Sequence, residues 1–357
     1  MDDIYKIIDT REPSEFKIKS FSGYKRRDVI EALEKSILSK KIENACNWVC
    51  ECICSDYIDK TWQHLITIAS NVININNPTL SNFLYKKNVL FYNIYNNIKC
   101  KIELRNDLTI RNLMFGVTVL LALSDKTKRY DKYPKLKDID FDFSKIQTKL
   151  TATSNLLNTD FIRFNEPAEL KLIFNEIYFH LKKSDGYGKC IYWILWVIEW
   201  EHRNIKCRNK WTIEPRKVDV KHDTDLMWII WECLFLDLKD TNKRRQVLSL
   251  YEIFKHNYSP KKRKRRLPLV LHAVSIITHP INYSIPLISD KSIYIQTQCY
   301  VNKIFESKKI HEVNNIVKEK LSKRATEPKR QKQVEKQIQK EILKNKLDLF
   351  NELDFNL

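Results

Sequence analysis

The sequence predicts an all-α fold: two packed multi-helix blocks, arranged as an α-hairpin array, followed by a basic C-terminal helix. Three features predict it. Apolar residues recur at steps of three and four through most of the chain, the period of a helix with one buried face. Only 4 glycines occur in 357 residues, too few for the turns of a large β fold. The tryptophans of the second half also fall at helical spacing, with Trp193, Trp196 and Trp200 on one face and Trp228 three residues before Trp231.

From the N-terminus, residues 1–20 show no strong period and are expected to form an arm. A helical domain follows over 21–124. Asp28 is a fair N-cap for a helix that places Val29, Leu33 and Ile37 on one side. Ala45, Trp48, Val49, Cys52 and Ile53 repeat the pattern. Trp62, Leu65, Ile66 and Ala69 repeat it again, before Pro78 ends the run. Leu108–Leu123 is apolar nearly all round and belongs at the centre of this domain. Residues 125–165 are charged, carry Pro134, and are expected to connect the blocks.

The Trp-rich domain is expected over 166–307. Leu170, Ile173, Phe174, Ile177 and Leu181 form one stripe, and Ser184–Gly188 is the clearest turn in the chain. The apolar neighbours of the tryptophans assign them to packing between helices and not to an exposed base-stacking platform. Residues 308–357 form the charged end, where Ala325–Leu349 carries Val334, Ile338 and Ile342 at steps of four.

Charge is the strongest clue to a partner. The formal net charge is +19. Lys255–Arg266 holds 7 cations and no acid, and Lys308–Lys346 holds 13 cations against 5 acids. Within the first segment stands PKKRKRR, so Lys261, Lys262, Arg263, Lys264, Arg265 and Arg266 are the candidate contacts to nucleic acid or another anion. Six consecutive cations are not expected inside a core, and each is suited to replacing counterions on a phosphate backbone. The run also resembles a monopartite nuclear-import signal. No base-reading motif accompanies it, so nucleic-acid contact would be indifferent to sequence.

Several chemistries find no support. The four glycines, Gly23, Gly116, Gly186 and Gly188, form no P-loop, dinucleotide turn or kinase loop, and no HExxH or GxSxG occurs. No catalytic residue, metal ligand or cofactor is therefore assigned. Cys46, Cys50, Cys52 and Cys54 lie within one helix at a spacing unlike a zinc knuckle, and are expected in the core. His202, Cys207 and His222 lack a ligand spacing. Glu166 and Lys171 are a fragment of a nuclease pattern without its preceding Asp. Glu199, Glu201 and His202 read as the polar end of the Trp-rich helix. With no signal peptide, the chain is expected inside the cell, with reduced thiols.

FSGYKRRDVIEALEKSI, ACNWVCECIC, NPTLSNFL, the Trp-rich helix and WIIWE together resemble an uncharacterised protein family of giant nucleocytoplasmic DNA viruses, across most of Phe21–Ser307. That resemblance implies an infected host cell, in the cytoplasmic viral factory, the nucleus or the virion, and other viral proteins as partners. It carries no catalytic residues. Ala32–Leu80 also resembles the helical C-terminal domain of clamp-loader-related ATPases, through Lys35–Ile37, Ala45–Trp48 and Asn77–Pro78. It implies a helical module that makes protein contacts. The terminal KLDLF is similar to the bacterial sliding-clamp-binding peptide, and makes Leu347, Leu349 and Phe350 a candidate partner-binding tail.

The expected function is that of a non-enzymatic viral binding or assembly protein, contacting nucleic acid without sequence preference in replication, transcription or genome packaging. The alternatives are a virion structural protein whose cations meet an acidic protein surface, and an enzyme with a site assembled from distant residues.

Overall fold

A computed structural model of the protein describes residues 4–127, 135–158, 160–207 and 213–313. Among them it shows thirteen α-helices and no strand, only an isolated bridge between Lys19 and Lys25. The all-α class follows from the sequence as expected. No helix of the described residues is long and apolar enough to cross a membrane.

Helices α1 (Arg26–Leu38), α2 (Ile42–Cys54) and α3 (Ile58–Ile68) are the short amphipathic helices that the apolar steps predict. One boundary differs. The N-cap of α1 is Lys25, so Asp28 lies inside the first turn. Its charge still suits the positive end of the helix there. Next come α4 (Leu80–Asn97), α5 (Lys101–Asn106) and α6 (Leu108–Leu123). Asp107 caps α6 by accepting from Ile110 N at 2.7 Å. Twelve of the α6 residues are buried, as an all-round apolar helix requires, and α1, α2, α3 and α4 pack around it.

The second half contributes α7 (Phe143–Ile146), α8 (Glu169–Leu181), α9 (Tyr187–Lys206), α10 (Leu226–Phe235), α11 (Thr241–Lys255), α12 (Arg263–Thr278) and α13 (Lys291–Lys308). Helices α8 and α9 form a hairpin across the predicted turn. Gly186 is needed in that turn, because a Cβ there would meet His180 O at 1.9 Å. Trp193, Trp196, Trp200, Trp228 and Trp231 are all buried. Helix α11 packs on α4, and α12 on the turn after α3, so one apolar core runs through both halves.

Three stretches are more tightly built than their sequence suggests. The N-terminal arm is docked: Ile7 and Phe16 are buried, and Asn106 exchanges two 2.8 Å hydrogen bonds with the Ile7 backbone. Part of the expected linker covers α9. There Phe141 stacks on Trp196 at 5.3 Å, and Trp196 Nε1 donates to Asp140 O at 2.6 Å. A buried indole N–H needs an acceptor, and the backbone of a charged stretch supplies it. Finally α13, grouped with the Trp-rich domain by sequence, packs on α6 and α2 of the first half. Its Phe305 is buried beside Phe115, with the Arg111 guanidinium 3.6 Å from its ring centre.

The end of α13 is held by a buried ion pair. Lys308 Nζ lies 2.9 Å from Glu51 Oε2, and Glu51 also accepts from Ser20 Oγ, Ser22 N and Ser22 Oγ. Burial alone would raise the Glu51 pKa. The Lys308 charge and the serine hydrogen bonds outweigh it and bring the carboxyl down to about 2. Beyond α13, Thr10 N donates to Val313 O at 2.9 Å, so the two ends of the described chain are joined.

Removing one partner of a buried pair strands the other. Lys308→Met should therefore cost roughly 3–5 kcal/mol in urea unfolding. In the wild type, the Glu51 contribution is complete above its unfolded pKa near 4.5 and is lost as pH falls toward about 2. Acid unfolding of Lys308→Met should begin at higher pH than in the wild type. Equal acid midpoints would contradict this.

Candidate anion-binding face

The basic run begins where α11 ends. Pro260–Lys262 forms a single 3-10 turn that leads directly into α12. Once helical, the run cannot keep all its side chains on one side, because positions three apart share a face. The structure accordingly corrects the expectation that all six cations stay outside the core. Arg263 and Arg266 turn inward, Lys262 is half-buried, and Lys261, Lys264 and Arg265 are exposed.

Arg263 is taken up by the protein's own carboxylates. It bridges Glu201 at the end of α9 and Asp225 at the N-cap of α10, with Nη2 2.6 Å from Asp225 Oδ1. Asp225 also accepts from Tyr258 OH at 2.8 Å and Met227 N at 2.9 Å. Burial raises the Glu201 pKa, and the Arg263 contact opposes that rise. Glu201, read as a polar helix end, is thus a structural anchor.

Arg266 has a different environment. It is 8% exposed, and its Nη1 donates to the Phe254 carbonyl, yet no carboxylate pairs with it among the described residues. It lines a shallow cleft between α3, α4, α11 and α12, with Gln63, Thr67, Asn88, Tyr92, His256 and Arg265. Behind this wall, Tyr92 OH donates to Asp59 Oδ1 at 2.9 Å, and Gln63 Nε2 holds both Asp59 oxygens. The His256 ring lies 4.1 Å from that of Tyr92.

Outside the cleft, cations from three separate segments meet. Lys60 at the start of α3 has its pKa lowered by burial and then by Arg26 of α1, with Asp59 opposing and Arg265 of α12 adding to the fall. Lys262 is lowered by burial and by Arg266 and Arg265, with Asp59 opposing. None of Lys60, Lys261, Lys264 and Arg265 forms an ion pair among the described residues, although elsewhere carboxylates pair with Arg203, Arg216 and Lys308. One carboxylate, Asp59, lies near enough to act on Lys60, Lys262 and Arg266, so positive charge exceeds negative charge on this surface.

The run was visible in the sequence; its neighbours were not. Lys60 and Arg26 are some two hundred residues away and carry no local signal, and Asn88, Tyr92 and His256 look like ordinary helix residues.

The remaining sequence candidates fall elsewhere. Cys46, Cys50, Cys52 and Cys54 are buried, and burial pushes the Cys46 and Cys52 thiols up to about 12. Glu166 is buried in a pair with Arg216 at 2.8 Å, while Cys207 is exposed. Among the described residues, no three His, Cys, Asp or Glu side chains converge as a metal site. His180 and Glu176 approach to 3.2 Å, and Thr151 Oγ1 meets His180 at the same nitrogen. That geometry ties a loop to α8. Leu347, Leu349 and Phe350, like the Ala325–Leu349 stripe, lie outside the described residues.

Compared with known proteins, the chain matches no family model, no curated protein and no solved structure.

The inward and outward members of the run should separate in a stability assay. Arg263→Met strands Glu201 and Asp225 and should cost roughly 3–5 kcal/mol. Lys264→Ala should stay within about 0.5 kcal/mol of wild type. Equal losses in chemical denaturation would refute the assignment.

Proposed function

We propose that this protein is a non-enzymatic binding or assembly component that contacts the phosphate backbone of nucleic acid, without sequence preference, through the face built by Arg26, Lys60, Lys261, Lys262, Lys264 and Arg265. One observation carries this reading. Cations from α1, α3 and the start of α12 meet on one surface, and the exposed ones have no carboxylate partner among the described residues. A backbone of regularly spaced charges suits such a face, because each contact releases counterions and none needs a base edge. The net charge of +19 adds a long-range attraction to the same partner. The likeness to giant-virus proteins gives the reading its setting, in replication, transcription or genome packaging of a viral genome.

Binding of the full chain to random-sequence duplex DNA tests the proposal. Affinity should fall steeply with salt and should not change between unrelated sequences of equal length. Replacing Lys261, Lys264 and Arg265 together by Ala removes up to three phosphate contacts. It should reduce the slope of log K against log salt by about 2.7, at roughly 0.9 per contact. An unchanged slope would remove this face from the interaction. Absence of DNA binding at low salt, with tight retention on an acidic protein, would overturn the reading in favour of a structural role.

A further inference from the structure

We infer that the cleft beside Arg266 is a seat for one phosphate group, resting on the proposed face but occupying a defined position within it. Three observations meet there. Arg266 is nine-tenths buried, lines the cleft, and has no carboxylate partner among the described residues. Asn88, 3% exposed and on the same cleft, accepts from Trp62 Nε1 at 3.0 Å through its Oδ1, which leaves its Nδ2 for other partners. Arg265 stands exposed on the same wall, and Lys262 lies near enough to both arginines to have its pKa lowered by them. A guanidinium and an amide thus line one small space, and two further cations stand beside it.

Size and chemistry narrow the ligand. The interior is about 30 Å³. It has room for roughly two water-sized groups, enough for the two free oxygens of a phosphodiester. Guanidinium groups suit such oxygens because their N–H donors form a planar fork. Gln63 Oε1, buried and without a donor in the chain, can take a ligand hydroxyl or a water. The protein's nearest carboxylate on this wall, Asp59, is already held by Tyr92 and Gln63. Burial draws the Arg266 guanidinium down to about 10, with Tyr92, Tyr258 and Asp59 opposing and Arg265 reinforcing the fall. An oxyanion in the cleft would oppose that fall further.

The test adds the missing charge from the chain itself. Asn88→Asp is isosteric and keeps the acceptor for Trp62, while its second oxygen replaces the N–H donor in the cleft. Thr67→Glu, on the same cleft, is the second variant should the first not fold. Thermal melts of the full chain are compared in inorganic phosphate and in chloride at equal ionic strength. For the wild type, phosphate should raise Tm above chloride by several degrees. The variant should be at least as stable in chloride and should lose the phosphate increment. Equal wild-type melts in the two salts, or a variant that keeps the increment, would overturn the seat. Random duplex DNA then identifies the source of the phosphate. If the occupant is a backbone phosphate, Asn88→Asp should lower the salt slope by about 1. An unchanged slope with a lost phosphate increment would assign the cleft to free phosphate. Phosphate protection in a wild type that binds no DNA would sink the proposed function and leave the seat standing.

Discussion

The clamp of Glu201 and Asp225 on Arg263 fixes how the rest of the basic face is presented. A run of six cations has no intrinsic orientation; as an extended loop it would point charge in all directions. Two carboxylates from different helices, α9 and α10, draw one member of the run inward. Helical periodicity then determines the others. Arg266, one step of three further on, must also face inward, and Lys264 and Arg265 must face outward. Burying two carboxylates has a desolvation cost, and a well-packed apolar substitute would hold α12 as firmly. What the ion pair adds is a defined rotation of α12 about its axis.

A second ion pair does similar work at the other end of the chain. Glu51 holds Lys308, and through its serine hydrogen bonds it also holds the loop that carries Ser20 and Ser22. Thr10 and Val313 meet just beyond. The end of α13 at Lys308 is therefore tied to the first helical block, although sequence order places it after the second. The basic run and Lys308 belong to one core, because α12 packs on the turn that follows α3 and α13 packs on α6. Charge on a common rigid body acts as one field, and two independently tethered segments would not.

Much of the fold was legible because it depends on local periodicity. Leu108–Leu123 is a helix over its predicted range, and it is central because no face of it is polar. Trp193, Trp196, Trp200, Trp228 and Trp231 are buried because their apolar neighbours leave them nowhere else to pack. Illegible features depended on contacts between distant residues. Nothing in the sequence near Arg263 says that Glu201 and Asp225 will meet it, so the run read as six equivalent charges. Part of the 125–165 segment looked like a linker because its composition is charged. The bond that docks it, Asp140 O to Trp196, uses the backbone, which composition does not describe. Lys60 joins the face for the same reason that it was missed: its partners are adjacent only after folding.

A surface of mobile lysines and a buried arginine contribute different things to an anion complex. Exposed lysines keep their side-chain freedom and their hydration, so each attracts phosphate without fixing where it sits. Arg266 has already lost both. Its side chain is ordered by the Phe254 carbonyl, and its desolvation was incurred in folding, before any ligand arrives. Binding there needs little further ordering, so the interaction retains more of its gross strength. One pre-ordered contact within a field of loose ones is enough to set the register of a backbone that carries no sequence information. Under the proposed function, the combination would give a protein that reads no bases a reason to keep a buried cation without a paired carboxylate, at some expense to its own stability.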